Sequence, residues 1–345
     1  PILLSREEVS MRRSSTLHLL ALCLLGCGAS AAEQRPSANA ADARLAETEH
    51  AAPEASSLVK EGEGKLAQND PSGAKELFLQ ALSANAKDAR AALDLGIASE
   101  MLDDKAGAEV AYRRALDTDP NFAEAQNNLG VLLRESGKLP EAIALLSKAA
   151  ATAPDSAAAH QNLGLAYEDN GNLAEASKEY ARTLEIAPDD AMTRANYGLL
   201  LLKQQQREAA VRELSKALDS AQGNRVALLA IGNGLRRAGA ADEALRAMEG
   251  AVAAGGEAPT PALLSELALA QRAAGKRDEA LATLQKVISL DGQYAIAHYL
   301  IANMLASDKR FPEAKQHYER YLKLDPNGAE ADRARERLAV IQKHK

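Results

Sequence analysis

"NNLG", residues 127–130, lies in a stretch whose apolar spacing reads as helix, and it ought to weaken that helix. Glycine in a helix interior costs about 1 kcal/mol relative to alanine, and asparagine is a poor helix former as well. Yet "QNLG" follows at 161–164 and "ANYG" at 195–198, each 34 residues further on. A helix-weakening word that returns at a fixed interval marks a place where packing outweighs propensity.

Numbering that glycine as position 8 of a 34-residue unit organises most of the chain. Position 8 is Gly62, Gly96, Gly130, Gly164, Gly198 and Gly232, then Ala268 and Ala302. Position 20 is Ala74, Ala108, Ala142, Ala176, Ala210, Ala244, Ala280 and Ala314. Position 24 is large: Phe78, Tyr112, Leu146, Tyr180, Leu214, Met248, Leu284 and Tyr318. Positions 4, 7, 8 and 11 fall on one face of a 3.6-residue helix, and positions 20, 24 and 27 on one face of the next. Gly137, Gly171, Gly239 and Gly275 are placed to end the first helix in a left-handed conformation, and Pro140 and Pro312 to open the second. Each hairpin is apolar on faces that only a stacked neighbour covers.

This period and pattern resemble the tetratricopeptide repeat, over residues 55–328 in eight units. The resemblance implies an all-α fold, a right-handed superhelical solenoid of helix hairpins. The first unit is ragged. At 253–261, "AAGGEAPTP" widens the spacing from 34 to 36, which reads as a longer turn or as a hinge between six units and two. Residues 329–345 follow the array, and the amphipathic stretch 329–343 reads as a capping helix. The close approach of helix backbones, glycine against alanine, is the expected reason for position 8.

The N-terminal part has another composition. "MRRSSTLHLLALCLLGC", residues 11–27, joins two arginines, a short apolar run and a small residue before cysteine. The run is too short for a permanent membrane span and reads as a secretory signal. Its ending resembles the lipobox of bacterial lipoproteins, which implies that Cys27 is lipidated after the signal is removed; residues 1–26 then hold an upstream segment, before Met11, and the signal peptide. A plainly cleaved signal peptide with an incidental cysteine is the other reading. Gly28 after the cysteine hints at the outer membrane, with the protein facing the periplasm. Residues 27–54 then form a lipidated end and an Ala-, Glu- and Ser-rich tether. Its reach is on the order of 30 Å.

Composition excludes several functions. The net charge of −7, with no long Lys/Arg run, disfavours nucleic acid. The two cysteines, Cys23 and Cys27, build no disulfide framework, and the six histidines fall in no zinc-binding pattern. No nucleophile elbow, phosphate loop or metal cluster is present, so no enzyme, no metal and no cofactor is expected.

Positions 2, 6, 9 and 13 lie opposite the packing face, and the resemblance implies that they line a concave groove. Position 6 reads Lys60, Asp94, Asn128, Asn162, Asn196, Ala230, Glu266, Leu300. Three asparagines in succession resemble the asparagine ladder of the O-linked N-acetylglucosamine transferase repeats, which grips extended peptides. An amide both donates and accepts, so it can pair with a peptide backbone of any sequence. Asn127 and Gln161 at position 5 extend the polar floor, and Tyr299 at position 5 of the last unit faces the groove. The same amides could instead tie neighbouring units together. The carboxylate clamp of chaperone-type arrays is not expected, because no three successive units carry its Lys, Arg and Asn set.

The reading is a membrane-anchored scaffold whose groove binds an extended segment of a partner protein. Lipoproteins of this build resemble the pilotin-type factors that help type IV pilus secretins assemble. The alternatives are an accessory subunit delivering substrate to a separate cell-wall or glycan enzyme, and a cytosolic scaffold if the signal is false.

Overall fold

The computed structural model describes residues 54–255 and 258–343. Cys27, the signal and most of the tether lie outside the described residues. Among those described, every regular element is a helix, and the chain is an all-α repeat solenoid.

The helices form two compact units, one ending at Ala153 and the other beginning at Pro154. The first unit holds three hairpins: α1 (Ala55–Ala67) with α2 (Pro71–Ala84), α3 (Ala89–Met101) with α4 (Lys105–Thr118), and α5 (Ala123–Glu135) with α6 (Leu139–Thr152). The second holds five: α7 (Ala157–Asp169) with α8 (Leu173–Ile186), α9 (Ala191–Lys203) with α10 (Arg207–Ser220), α11 (Arg225–Ala238) with α12 (Ala241–Ala253), α13 (Pro261–Ala273) with α14 (Arg277–Leu290), and α15 (Ala295–Ser307) with α16 (Phe311–Leu324). A last helix, α17 (Ala331–Lys343), packs on α16. Of segment 253–261, the described residues 253–255 and 258–261 lie inside the second unit. The odd-numbered member of each hairpin is called the A helix and the even-numbered member the B helix.

Helix starts follow the sequence closely. Asp70, Asp88, Asp104, Ser156, Asp190, Asn224 and Thr260 each accept a backbone N–H of the first turn. All eight A helices are followed by a left-handed residue at position 15. Gly137, Gly171, Gly239 and Gly275 take it at φ +76 to +82°, as expected from the sequence. Asn69, Asp103, Gln205 and Lys309 take it without being glycine.

The position-8 glycines have a different reason from the one expected. Each faces the large position-24 side chain of its own hairpin rather than the position-20 alanine. A Cβ on Gly130 would lie 2.6 Å from Leu146 Cγ, and one on Gly164 would lie 2.8 Å from the Tyr180 ring. The glycine makes room for a fully buried side chain, which recovers more than the lost propensity.

Polar groups also fasten the hairpins. In three A helices, α7, α9 and α15, position 4 reaches back six residues to the preceding turn and across to position 23 of its B helix. His160 sits 2.6 Å from Glu179 and 3.1 Å from the Pro154 carbonyl. Arg194 donates to Glu213 at 2.8 Å and to the Pro188 carbonyl. His298 bonds the Gly292 backbone but faces a second imidazole, His317, at 3.0 Å between the Nδ1 atoms. Burial lowers the pKa of both rings; His317 and Arg320 lower His298 further, whereas Glu313 opposes the shift at His317.

Candidate functional site

In the first unit, the outward face of the A helices is charged and internally braced. Arg90, the second residue of α3, holds three carboxylates from three successive A helices. Its Nε lies 3.0 Å from Asp94 and 3.4 Å from Glu63, and its Nη1 lies 3.0 Å from Glu124. Asp94 is buried, and desolvation pushes its pKa up to about 7 against the pull of Arg90. Beside it, Asn127 donates to Asn128 at 3.2 Å, and Asn128 donates to the hydroxyl of Tyr112, which is bonded to Glu100. Both asparagines remain half-buried.

The second unit carries the other residues anticipated from the sequence. Gln161 Nε2 donates to Thr193 Oγ1 at 2.7 Å, and Thr193 donates to Asp190, the cap of α9. Gln161 is therefore a tie to the next hairpin. Asn162 and Asn196 stand at equivalent half-buried positions on α7 and α9. Asn162 is engaged within the protein. Asn196 has no side-chain hydrogen bond among the described residues. Tyr299 is half-buried, with its ring 5.3 Å from Tyr321 and 6.1 Å from Tyr318, and it interacts with Asn303 and with Glu330 and Arg333 beside α17. It belongs to an aromatic cluster at the capping helix, apart from the amides.

Two polar couplings escape a reading of apolar periodicity. Tyr112 and Tyr180 at position 24 bury their hydroxyls against Glu100 and Glu168 at position 12 of the same units. Where position 24 is Phe, Leu or Met, position 12 is Leu or Arg. The second is the pairing of positions 4 and 23. Co-occurrence between repeats of one chain was the available signal for both.

Little else gathers into a site. A shallow hollow of about 370 Å³ opens beside α4 and α6, lined by Leu116, Leu129, Leu145 and the charged groups Arg113, Glu141 and Lys148. It holds no nucleophile with a base. Among the described residues no cluster of three His, Cys, Asp or Glu could hold a metal ion, and no helix is long and apolar enough to cross a membrane.

Family models for the tetratricopeptide repeat match residues 59–121, 103–157, 133–197 and 265–329. The chain belongs to the tetratricopeptide repeat family. Such arrays generally bind proteins or peptides, so the chain is a protein-interaction scaffold. A comparison with curated proteins finds no match. Among solved structures, the chain is similar to PilW, titled a widely conserved type IV pilus biogenesis factor, with 21% identity and a TM-score of 0.53 over 58% of this chain and 92% of that one. It is similar to Pseudomonas aeruginosa pilF, with 22% identity and a TM-score of 0.51 over 56% of this chain and 89% of that one. It is also similar to the APC/C hetero-tetramer Cut9-Hcn1, with 16% identity and a TM-score of 0.51 over 82% of this chain and 55% of that one. At these identities the likeness is one of fold.

Proposed function

We propose that this tetratricopeptide repeat protein is a non-enzymatic envelope lipoprotein, anchored through Cys27, whose A-helix groove holds an extended segment of a partner and so scaffolds an envelope assembly. The observation that carries the binding role is the half-buried amide at one helical position, Asn162 and Asn196 in the second unit and Asn128 in the first. The lipobox-like "LLGC" ending at Cys27 supports the anchor. An assembly of the pilus or secretin kind is the working choice, because PilW shares the fold and is titled a type IV pilus biogenesis factor.

The test combines two variants of the full chain in its own cells. Cys27→Ser should leave the array folded but release it from the membrane fraction or block its maturation. A photo-crosslinking residue at Asn162 should capture an envelope assembly protein. Unchanged membrane retention and processing of Cys27→Ser would end the lipoprotein reading. Capture of a cell-wall or glycan enzyme would replace the assembly role with that of an accessory subunit.

A further inference from the structure

The outward face of the A helices changes chemistry between the two units. In the first unit, positions 2, 5, 6 and 9 read Ser56, Val59, Lys60, Glu63, then Arg90, Leu93, Asp94, Ile97, then Glu124, Asn127, Asn128, Val131. Five of these twelve are charged, and three carboxylates converge on Arg90. In α7, α9 and α11 the same positions read Ala158, Gln161, Asn162, Leu165, then Met192, Ala195, Asn196, Leu199, then Val226, Leu229, Ala230, Asn233. None is charged, in a chain whose net charge is −7.

Apart from Ala195, which is fully buried, these uncharged positions are half-buried or exposed. Val226 is 41% exposed, and Leu165, Met192, Leu199 and Leu229 are half-buried. Charged neighbours stand one turn further on, at Glu168, Asp169, Lys203, Arg236 and Arg237; Lys203 pairs with Glu168, Arg236 pairs with Glu266, and Asp169 is also engaged within the protein. The face is a floor of half-open apolar side chains with amides set along it, and Asn196 makes no side-chain hydrogen bond among the described residues.

We propose that α7, α9 and α11 form the docking surface for an uncharged, extended peptide segment with apolar side chains. This rests on the groove-binding function above and names its partner class. Complementarity of charge selects the occupant. A lysine or glutamate laid on this floor would be desolvated with no opposite charge at positions 2, 5, 6 or 9 to meet it, which is costly for an ion and nearly free for Val, Ile, Leu or Thr. Asn196 takes the backbone of the segment, whose N–H and C=O groups would otherwise go unpaired on an apolar surface. Leu165, Met192, Leu199 and Val226 receive the side chains that face the floor.

A random dodecapeptide library displayed on phage and selected against the full chain tests this. The expected result is enrichment of uncharged peptides rich in β-branched and other apolar residues. Their binding should weaken at least tenfold in Val226→Glu, at an exposed site, and in Met192→Glu, whose side chain packs partly on the core so that its melting temperature is measured alongside. Glu124→Lys, in the first unit, should leave it unchanged. Peptides enriched in charge, or lost on Glu124→Lys and kept on Val226→Glu, would overturn this assignment while leaving the chain a peptide-binding scaffold. A library that yields no binder would count against both. So would self-association through this face, seen as a dimer that Val226→Glu breaks without any peptide having been selected.

Discussion

At the scale of single residues, the same helical position does different work in successive units. Position 6 is Asp94 in the second repeat, where burial and Arg90 compete, and Asn196 in the fifth, where no side-chain bond holds it. The amide pattern was legible in the sequence because its spacing is regular. What each amide touches was not, since Gln161 depends on where Thr193 and Asp190 come to lie. The position-4 pins show the same limit. Repeats four and five match His160 or Arg194 with a glutamate, but the last repeat sets His298 against His317. Both of those imidazoles have folded pKa values below the ordinary 6.5, so their contribution to stability is present above that value and is lost as pH falls through it. His317→Glu would copy the pin of the fourth repeat. The melting temperature of the variant relative to the parent should therefore rise as pH drops from about 7 to 5. A difference that stays flat across that window would show that the pair does not titrate with folding.

At the scale of elements, phase and caps were readable because each rests on local chemistry. The capping aspartates, the first-turn prolines and the αL glycines all act within a few residues. The left-handed turn at Gln205 and Lys309 was not readable, because tertiary packing imposes it on residues with no preference for it. An L-residue with a long side chain gives up about 1 kcal/mol or more in that conformation, and glycine recovers part of this against its own entropy. Lys309→Gly should thus stabilise the protein by about 0.5–1 kcal/mol, whereas Gly171→Ala should destabilise it by a similar amount, read by denaturant melts. Destabilisation by Lys309→Gly would mean that its side chain contributes more than its backbone loses. The role of position 8 needed coordinates too. Periodicity identifies a face, but only the structure shows that the glycine opposes the large residue at position 24 rather than the alanine at position 20.

At the scale of the whole molecule, a repeat array gains stability from neighbour contacts, so damage stays near its origin. Gly164→Leu would drive a side chain into Tyr180, at roughly 1–3 kcal/mol. Hydrogen exchange should then speed up in α7 to α10 while α13 to α17 keep their protection. Even loosening of the second unit would argue for a single cooperative block instead. That the outward positions 2, 5, 6 and 9 carry charge in α1, α3 and α5 but none in α7, α9 and α11 was visible only after those positions were fixed. The central claim is that the amide row of the second unit, Asn162 and Asn196, holds the backbone of a partner segment. Its most direct measurement is the affinity of the folded Asn162→Ala/Asn196→Ala variant for a peptide that the parent binds, alongside its melting temperature. Two neutral hydrogen bonds at about 0.5–1.5 kcal/mol each correspond to weakening of roughly 5- to 150-fold. Melting should stay level or rise, since alanine is the better helix former. A lower melting temperature with undiminished affinity in the folded fraction would contradict the claim and make the amides ties between hairpins.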